Sequence, residues 1–442
     1  MKKIGISLLI AVLIFTLFAA CQKQEAASQT SGAQAGERAA NAPDAPVTLT
    51  VWCWDPAFNI YAMNEAAKIY NRDKPNVTIN VVETPWDDVQ QKLITSLESG
   101  QTDNLPDIIL MQDNAIQKNI TIYPDAFLPL NGKVDLSEFA QFKLDFGNYK
   151  GKNYGVPFDN GATGFFLRKD IIEQAGLQVS DFNDTTWEKI IELGKIVKQK
   201  TNIPLLSTVA NSPDYIMLML QSTGSWFFKP DGSLDIKDNA VLKKGIELMG
   251  EMRAANILTL VADWNAYIAT LNTGGVAGTI QGCWIIGSIS AEQSQSGQWA
   301  MVSTPRFETI PGAVNYSSQG GSGWMVLANS KNPDVAMDLL NKTFAGSVEF
   351  YSTILVSSGA IATWLPAGQS PTYGEPVAYF GGQKIYADLL SYAEKIPLVK
   401  YGVYNYEARD AVGRAISDIM NGKNIDAALA TAQQEVEHII NE

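Results

Sequence analysis

Histidine is almost absent from this 442-residue chain, which has one, and cysteine is scarce at three. A single His excludes Ser-His-Asp triads, HExxH zinc sites and His-rich metal cages. Three Cys exclude a disulfide scaffold and any four-Cys cluster. Basic charge is also in deficit: 33 Lys+Arg face 46 Asp+Glu, a net charge of −13. That balance argues against a nucleic-acid partner and against charge-driven docking on anionic lipid. Carboxylates are plentiful, and two of them suffice for glycosidase chemistry, but no spacing picks out a pair. At 46% hydrophobic and 10% aromatic the chain can bury large cores, and its length suits two domains.

Residues 1–20 have the layout of an export signal: Lys2 and Lys3, then a mostly apolar run from Ile4 to Ala20. An uncleaved membrane anchor is the rival reading, because the run is at the lower limit for spanning. Leu17-Phe18-Ala19-Ala20-Cys21 resembles a bacterial lipobox, which implies acylation of Cys21 at the mature N-terminus. Residues 21–46 then read as a lipidated Cys followed by a disordered tether, since Gln22 to Pro46 contains no Leu, Ile, Val, Met or aromatic residue. Such a coil spans about 25–30 Å. Cys53 and Cys283 read as small buried thiols.

The folded part begins at Val47. Val47 to Trp54 alternates as a strand, and Ile60, Met63, Ala67 and Tyr70 mark one helix face. Val77, Ile79 and Val81 form a second strand. Thr84-Pro85-Trp86 looks like a helix start with Thr84 as N-cap, and Gly100 suits its end. Asp107 to Met111 is a short apolar strand. The order is βαβαβ, which predicts a parallel sheet covered by helices, with ligands at the carboxyl ends of its strands. Those ends are Trp54-Asp55 and Gln112-Asp113-Asn114. Farther on, Thr185 to Glu188 has capping-box spacing, residues 320–328 are a Gly-rich turn feeding a strand, and 406–420 and 426–440 are closing helices. His438 falls on a solvent-facing side.

Several segments taken together resemble an extracellular solute-binding protein of a bacterial ABC importer, in the sugar-binding group that includes maltodextrin-binding proteins. They are VWCWDP (51–56), LPDIILMQDN (105–114), YGVPFDNGATGFFLRKDI (154–171), TTWEKIIELGKIV (185–197), DGSLDIKDNA (231–240), GTIQGCW (278–284), GGSGWMVLANSKNPDVAMDLLNKT (320–343) and NGKNIDAALATAQQEVEHII (421–440). The resemblance implies an α/β, two-lobed periplasmic-binding-protein-like fold with discontinuous domains and a ligand cleft between them. Carried over, lobe one is 47–158 plus 322–367, and lobe two is 159–321 plus 368–442. It implies a monomer that captures a mono- or oligosaccharide, closes about a hinge and delivers its ligand to membrane-embedded permease subunits, without catalysis, metal or cofactor.

Sugar hydroxyls need donors and acceptors, and sugar C–H faces need flat apolar partners. Trp284 matches the family's stacking aromatic of the second lobe, and Asp113 its hydroxyl-binding carboxylate. Asp113 also suits a helix N-cap, as does Asp55 beside Trp54. Asp159 and Asn160 fall at the first crossing between lobes, where Gly161 occupies the position the family often gives to an acid. Asp214 and Tyr215 lie where relatives place polar and aromatic contacts. Gly320 and Gly321 occupy the second crossing. Tyr404, Tyr406 and Arg409 precede or open the first closing helix, near a family cleft aromatic. Trp264, Trp299, Trp324 and Trp364 read as core or rim. The rival readings are a carboxylate-pair glycosidase, an adhesin or structural lipoprotein, and the same fold binding ferric iron or a polyamine.

Overall fold

A computed structural model describes residues 45–441. The leader, Cys21 and the tether as far as residue 44 lie outside the described residues. In the first sheet, Val47–Cys53 pairs in parallel with Val77–Glu83 on one side and Ile108–Gln112 on the other. Helices Asn59–Tyr70 and Trp86–Ser99 make the crossovers. Two later strands widen the sheet, giving the order 77–83, 47–53, 108–112, 322–326, 155–159. Ser322–Val326 runs antiparallel to both neighbours, so the expected parallel sheet is mixed. The reversed strand comes back into the sheet after more than 150 residues spent elsewhere.

Apolar residues of the central strand alternate between two cores. Ile108 and Leu110 pack with Leu49, Val51, Trp324 and Phe158 on one face, and Ile109 and Met111 pack with Val89, Leu93 and Ile116 on the other. That is the period of two expected of a strand buried on both faces. A second sheet is antiparallel, with Thr163–Arg168 between Gly278–Gly282 and Trp299–Val302. Beside it, Leu206–Val209 and Leu258–Val261 pair in parallel. Helices Asn405–Met420 and Ile425–Asn441 pack largely against this second half through Ala411, Val412, Ile416, Leu429 and Val436.

Three local expectations need correction. The second helix starts at Trp86 with Pro85 at the cap, and the Thr84 hydroxyl donates to the Val82 carbonyl instead. The cap of helix Trp187–Thr201 is Thr186, whose hydroxyl accepts from the Lys189 amide, and not Thr185. The buried stripe of the first helix runs through Ala62, Met63, Ala66 and Tyr70, one position off Ala67. Gly100 does end its helix, at φ 69°.

Stretches near 159–162, 318–322 and 361–362 lie side by side between the two sheets. The Asn160 amide donates to the Ile361 carbonyl, and Asp159 bridges Ala362 while Ala162 bridges Ser318.

Candidate functional site

A cavity of about 520 Å³ opens at the carboxyl ends of the first-sheet strands. Its wall includes ten of the residues singled out from sequence: Trp54, Asp55, Gln112, Asn114, Asp159, Asp214, Trp284, Gly320, Gly321 and Arg409. Local chain geometry puts them there. Asp55 follows the first strand, and its carboxylate accepts from the Ala57 and Phe58 amides at 2.9 and 3.1 Å. The Asn59 side chain ties down the Trp54 and Asp55 amides, at 3.0 and 2.9 Å. Trp284 follows the strand Gly278–Gly282, and its indole N–H donates to the Gln319 carbonyl at 3.0 Å. Gly282 is required for this approach, because a Cβ there would stand 2.2 Å from the indole nitrogen.

Two tilted indole pairs line the cavity. Trp54 and Trp86 have ring centroids 5.1 Å apart, and Trp264 and Trp284 lie 5.6 Å apart. The first pair is carried by the loop after strand Val47–Cys53 and the start of helix Trp86–Ser99, the second by the other half. Between these flat surfaces stand acceptors and one guanidinium. Burial pushes the Asp55 and Asp159 carboxyls upward, opposed at Asp55 by its two amide donors and at Asp159 by Lys143 and Ser322. The Ser322 hydroxyl donates to Asp159 Oδ1 at 2.6 Å. Burial works against the Arg409 charge, but Asp214, Tyr406 and nearby acids hold its guanidinium above the usual range. The buried side-chain oxygens of Asn114 and Gln319, both in the wall, have no hydrogen-bond partner. Such groups favour a donor-bearing ligand, since an unpaired buried acceptor costs about 1–3 kcal/mol.

The other predicted residues lie elsewhere. Asp113 is in the first turn of helix Asp113–Ile122, turned away from the cavity, where its carboxylate accepts from the wholly buried Lys143 ammonium. It does not cap that helix. Asp113 and Asn160 both line a separate cavity of about 370 Å³. Burial, opposed by Lys143, pushes the Asp113 carboxyl up to about 6. Tyr215 is fully buried, and its hydroxyl donates to the Ser207 carbonyl at 3.0 Å. Tyr404 packs against the core of the second half, and Tyr406 sits behind the cavity wall.

Gln319 carries no signal in the sequence, and Trp86 and Trp264 are not among its candidate contacts. The triplet 112–114 is the strand end named above. Because successive helical residues turn by 100°, Asn114 faces the cavity and Asp113 does not. Trp86 opens its helix on the cavity wall, and Trp264, expected in core or rim, lies at the rim, 39% exposed. Trp299 and Trp324 are core, as read. Cys53 and Cys283 are free and buried, and His438 is exposed.

Comparison with known proteins adds a lineage to this geometry. The family profile of the bacterial extracellular solute-binding proteins matches residues 65–363. A lactose-binding protein of Rhizobium radiobacter is 38% identical over 387 residues, covering 88% of this chain and 92% of that protein. Two solved structures share the fold at low identity. The GacH receptor of Streptomyces glaucescens, solved unliganded and with acarbose, superposes with a TM-score of 0.77 at 16% identity, covering 90% of this chain and 99% of the receptor. A transporter-associated binding protein from B. animalis subsp. lactis, in complex with β-1,6-galactobiose, gives 0.75 at 18% identity, covering 89% and 97%.

Proposed function

Because this chain belongs to the bacterial extracellular solute-binding proteins, we propose that it captures a carbohydrate outside the cell and hands it to an ABC permease. A disaccharide containing galactose, lactose first, is the leading candidate ligand, since a relative 38% identical over 88% of the chain is a lactose-binding protein. One observation carries the reading: two tryptophan pairs and a ring of carboxylates, amides and Arg409 line a single cavity of about 520 Å³. Flat indoles take sugar C–H faces, and the polar groups take hydroxyls. A cavity of that size lies in the range of small-molecule sites.

The ligand contacts in this reading are Trp54, Asp55, Trp86, Asn114, Asp159, Asp214, Trp264, Trp284, Gln319 and Arg409, with Gly320 and Gly321 bringing backbone close. The lobes are 47–158 plus 322–367 and 159–321 plus 368–442. Closure about the crossings traps the sugar, and the permease meets the closed form. The ligand is returned unchanged, so no catalytic pair is needed. The protein works as a monomer held to the membrane through an acylated Cys21.

Thermal unfolding in the presence of mono-, di- and oligosaccharides, with polyamines as a control, tests this. A ligand at about 100 times its Kd adds roughly 2.7 kcal/mol to stability, and lactose or a related disaccharide is expected to raise Tm by several degrees. A shift with polyamines alone would reassign the three cavity carboxylates, Asp55, Asp159 and Asp214, to an ammonium ligand.

A further inference from the structure

We propose that Tyr406 is a positioning residue, setting the cavity wall from behind by holding Trp86, Gln112 and Arg409 together. The proposal deepens the sugar-binding reading and rests on it. Tyr406 is 9% exposed and lines no part of the cavity. Its hydroxyl accepts from the Trp86 indole N–H at 2.9 Å and donates to the Gln112 side-chain oxygen. Its ring carries the Arg409 guanidinium, 5.5 Å from the centroid. Trp86, Gln112 and Arg409 all line the cavity. Three wall groups from three separate stretches of chain therefore meet at one phenol.

The phenol also joins two cores. The Tyr406 ring packs among Val89, Leu93 and Met111, on the outer face of the first sheet. Ala408, Ala411 and Val412, on the same helix, pack in the core of the second half. A hydroxyl has a single proton. Once it accepts from the indole and spends that proton on Gln112, both side chains are held in one orientation. Burial raises the phenol well above its ordinary pKa, so the proton stays in place. A Phe here would keep the ring contacts and the cation–π geometry but would free the Trp86 indole and the Gln112 amide.

The test is calorimetric titration of the intact chain with lactose, using wild type, Tyr406→Phe, Trp86→Phe and the double variant. Tyr406→Phe should raise Kd about tenfold, and the double variant should lose less than the product of the two single losses. An unchanged Kd with only a lower Tm would show a scaffold residue and overturn the proposal. Losses that multiply would overturn it too. Gln112→Met reaches the same contact from its other end and should give the same non-additivity with Trp86→Phe if Tyr406→Phe does not fold. Solvent exchange of the Trp86 indole N–H is a readout that needs no sugar: slow in wild type and faster in Tyr406→Phe. Protection unchanged in Tyr406→Phe contradicts the proposal. If wild type does not bind lactose, the substrate reading fails, and the indole exchange alone decides the role of Tyr406.

Discussion

Lys143, whose side chain is wholly buried, donates to the Asp113 carboxylate and, at 2.7 Å, to the backbone carbonyl of Asp159. The ammonium thus ties the end of a first-sheet strand to the first crossing segment. Removing one partner of a buried pair leaves an uncompensated charge and costs about 3–5 kcal/mol. Lys143→Met is expected to lower unfolding free energy by that order in urea melts. A loss under about 1 kcal/mol would mean that the pair is solvated in solution.

The same pair gives a pH signature. Asp113 is held at about 6 in the fold, above the ordinary carboxyl value of 3.8. A carboxyl raised on folding gives stability that is fully present below its unfolded pKa and lost as pH rises through the folded one. Between pH 4 and 6, wild type should therefore lose stability relative to Asp113→Asn. A flat difference curve over that window would refute the assignment.

Gly321 adopts φ +87°, and a Cβ there would stand 2.3 Å from an Asp113 carboxylate oxygen. Gly321→Ala combines left-handed strain with this clash. Strain alone costs about 1–2 kcal/mol, and the displaced crossing should also weaken sugar binding. Tm and lactose Kd in the variant measure both effects.

The lipobox resemblance at Cys21 predicts where the full-length chain fractionates. In a bacterial host it should partition into detergent and membrane fractions, and Cys21→Ser should release it into the soluble fraction. Membrane retention of Cys21→Ser would favour an uncleaved apolar anchor over acylation.

Much of this was legible in the sequence, and the exceptions have physical causes. Alternation at 47–54 and 77–81, the continuous apolar run 107–111 and helix periodicity between them disclosed the βαβαβ core. Strand-end logic found Trp54, Asp55 and the 112–114 triplet, and the motif match found Trp284 and Arg409. Strand-end logic could not choose between Asp113 and Asn114, because the choice depends on which way a helix start turns. Lys143 carried no linear signal: it becomes meaningful only once a crossing segment passes over it. The strand after the Gly-rich turn was legible, but the place of Ser322–Val326 in the first sheet and its antiparallel direction were hidden, since its neighbours are remote in sequence. Trp86 and Trp264 each open a helix, and a tryptophan on a cavity lip gives the same signal in sequence as one in a core.

The most direct measurement is isothermal titration of the protein from residue 22 onward with lactose, in wild type and Trp284→Ala. The account predicts one site per chain in wild type, recovery of the sugar chemically unchanged, and Kd weakened at least about tenfold in the variant. Equal affinity in both proteins, or hydrolysis of the sugar, would contradict it.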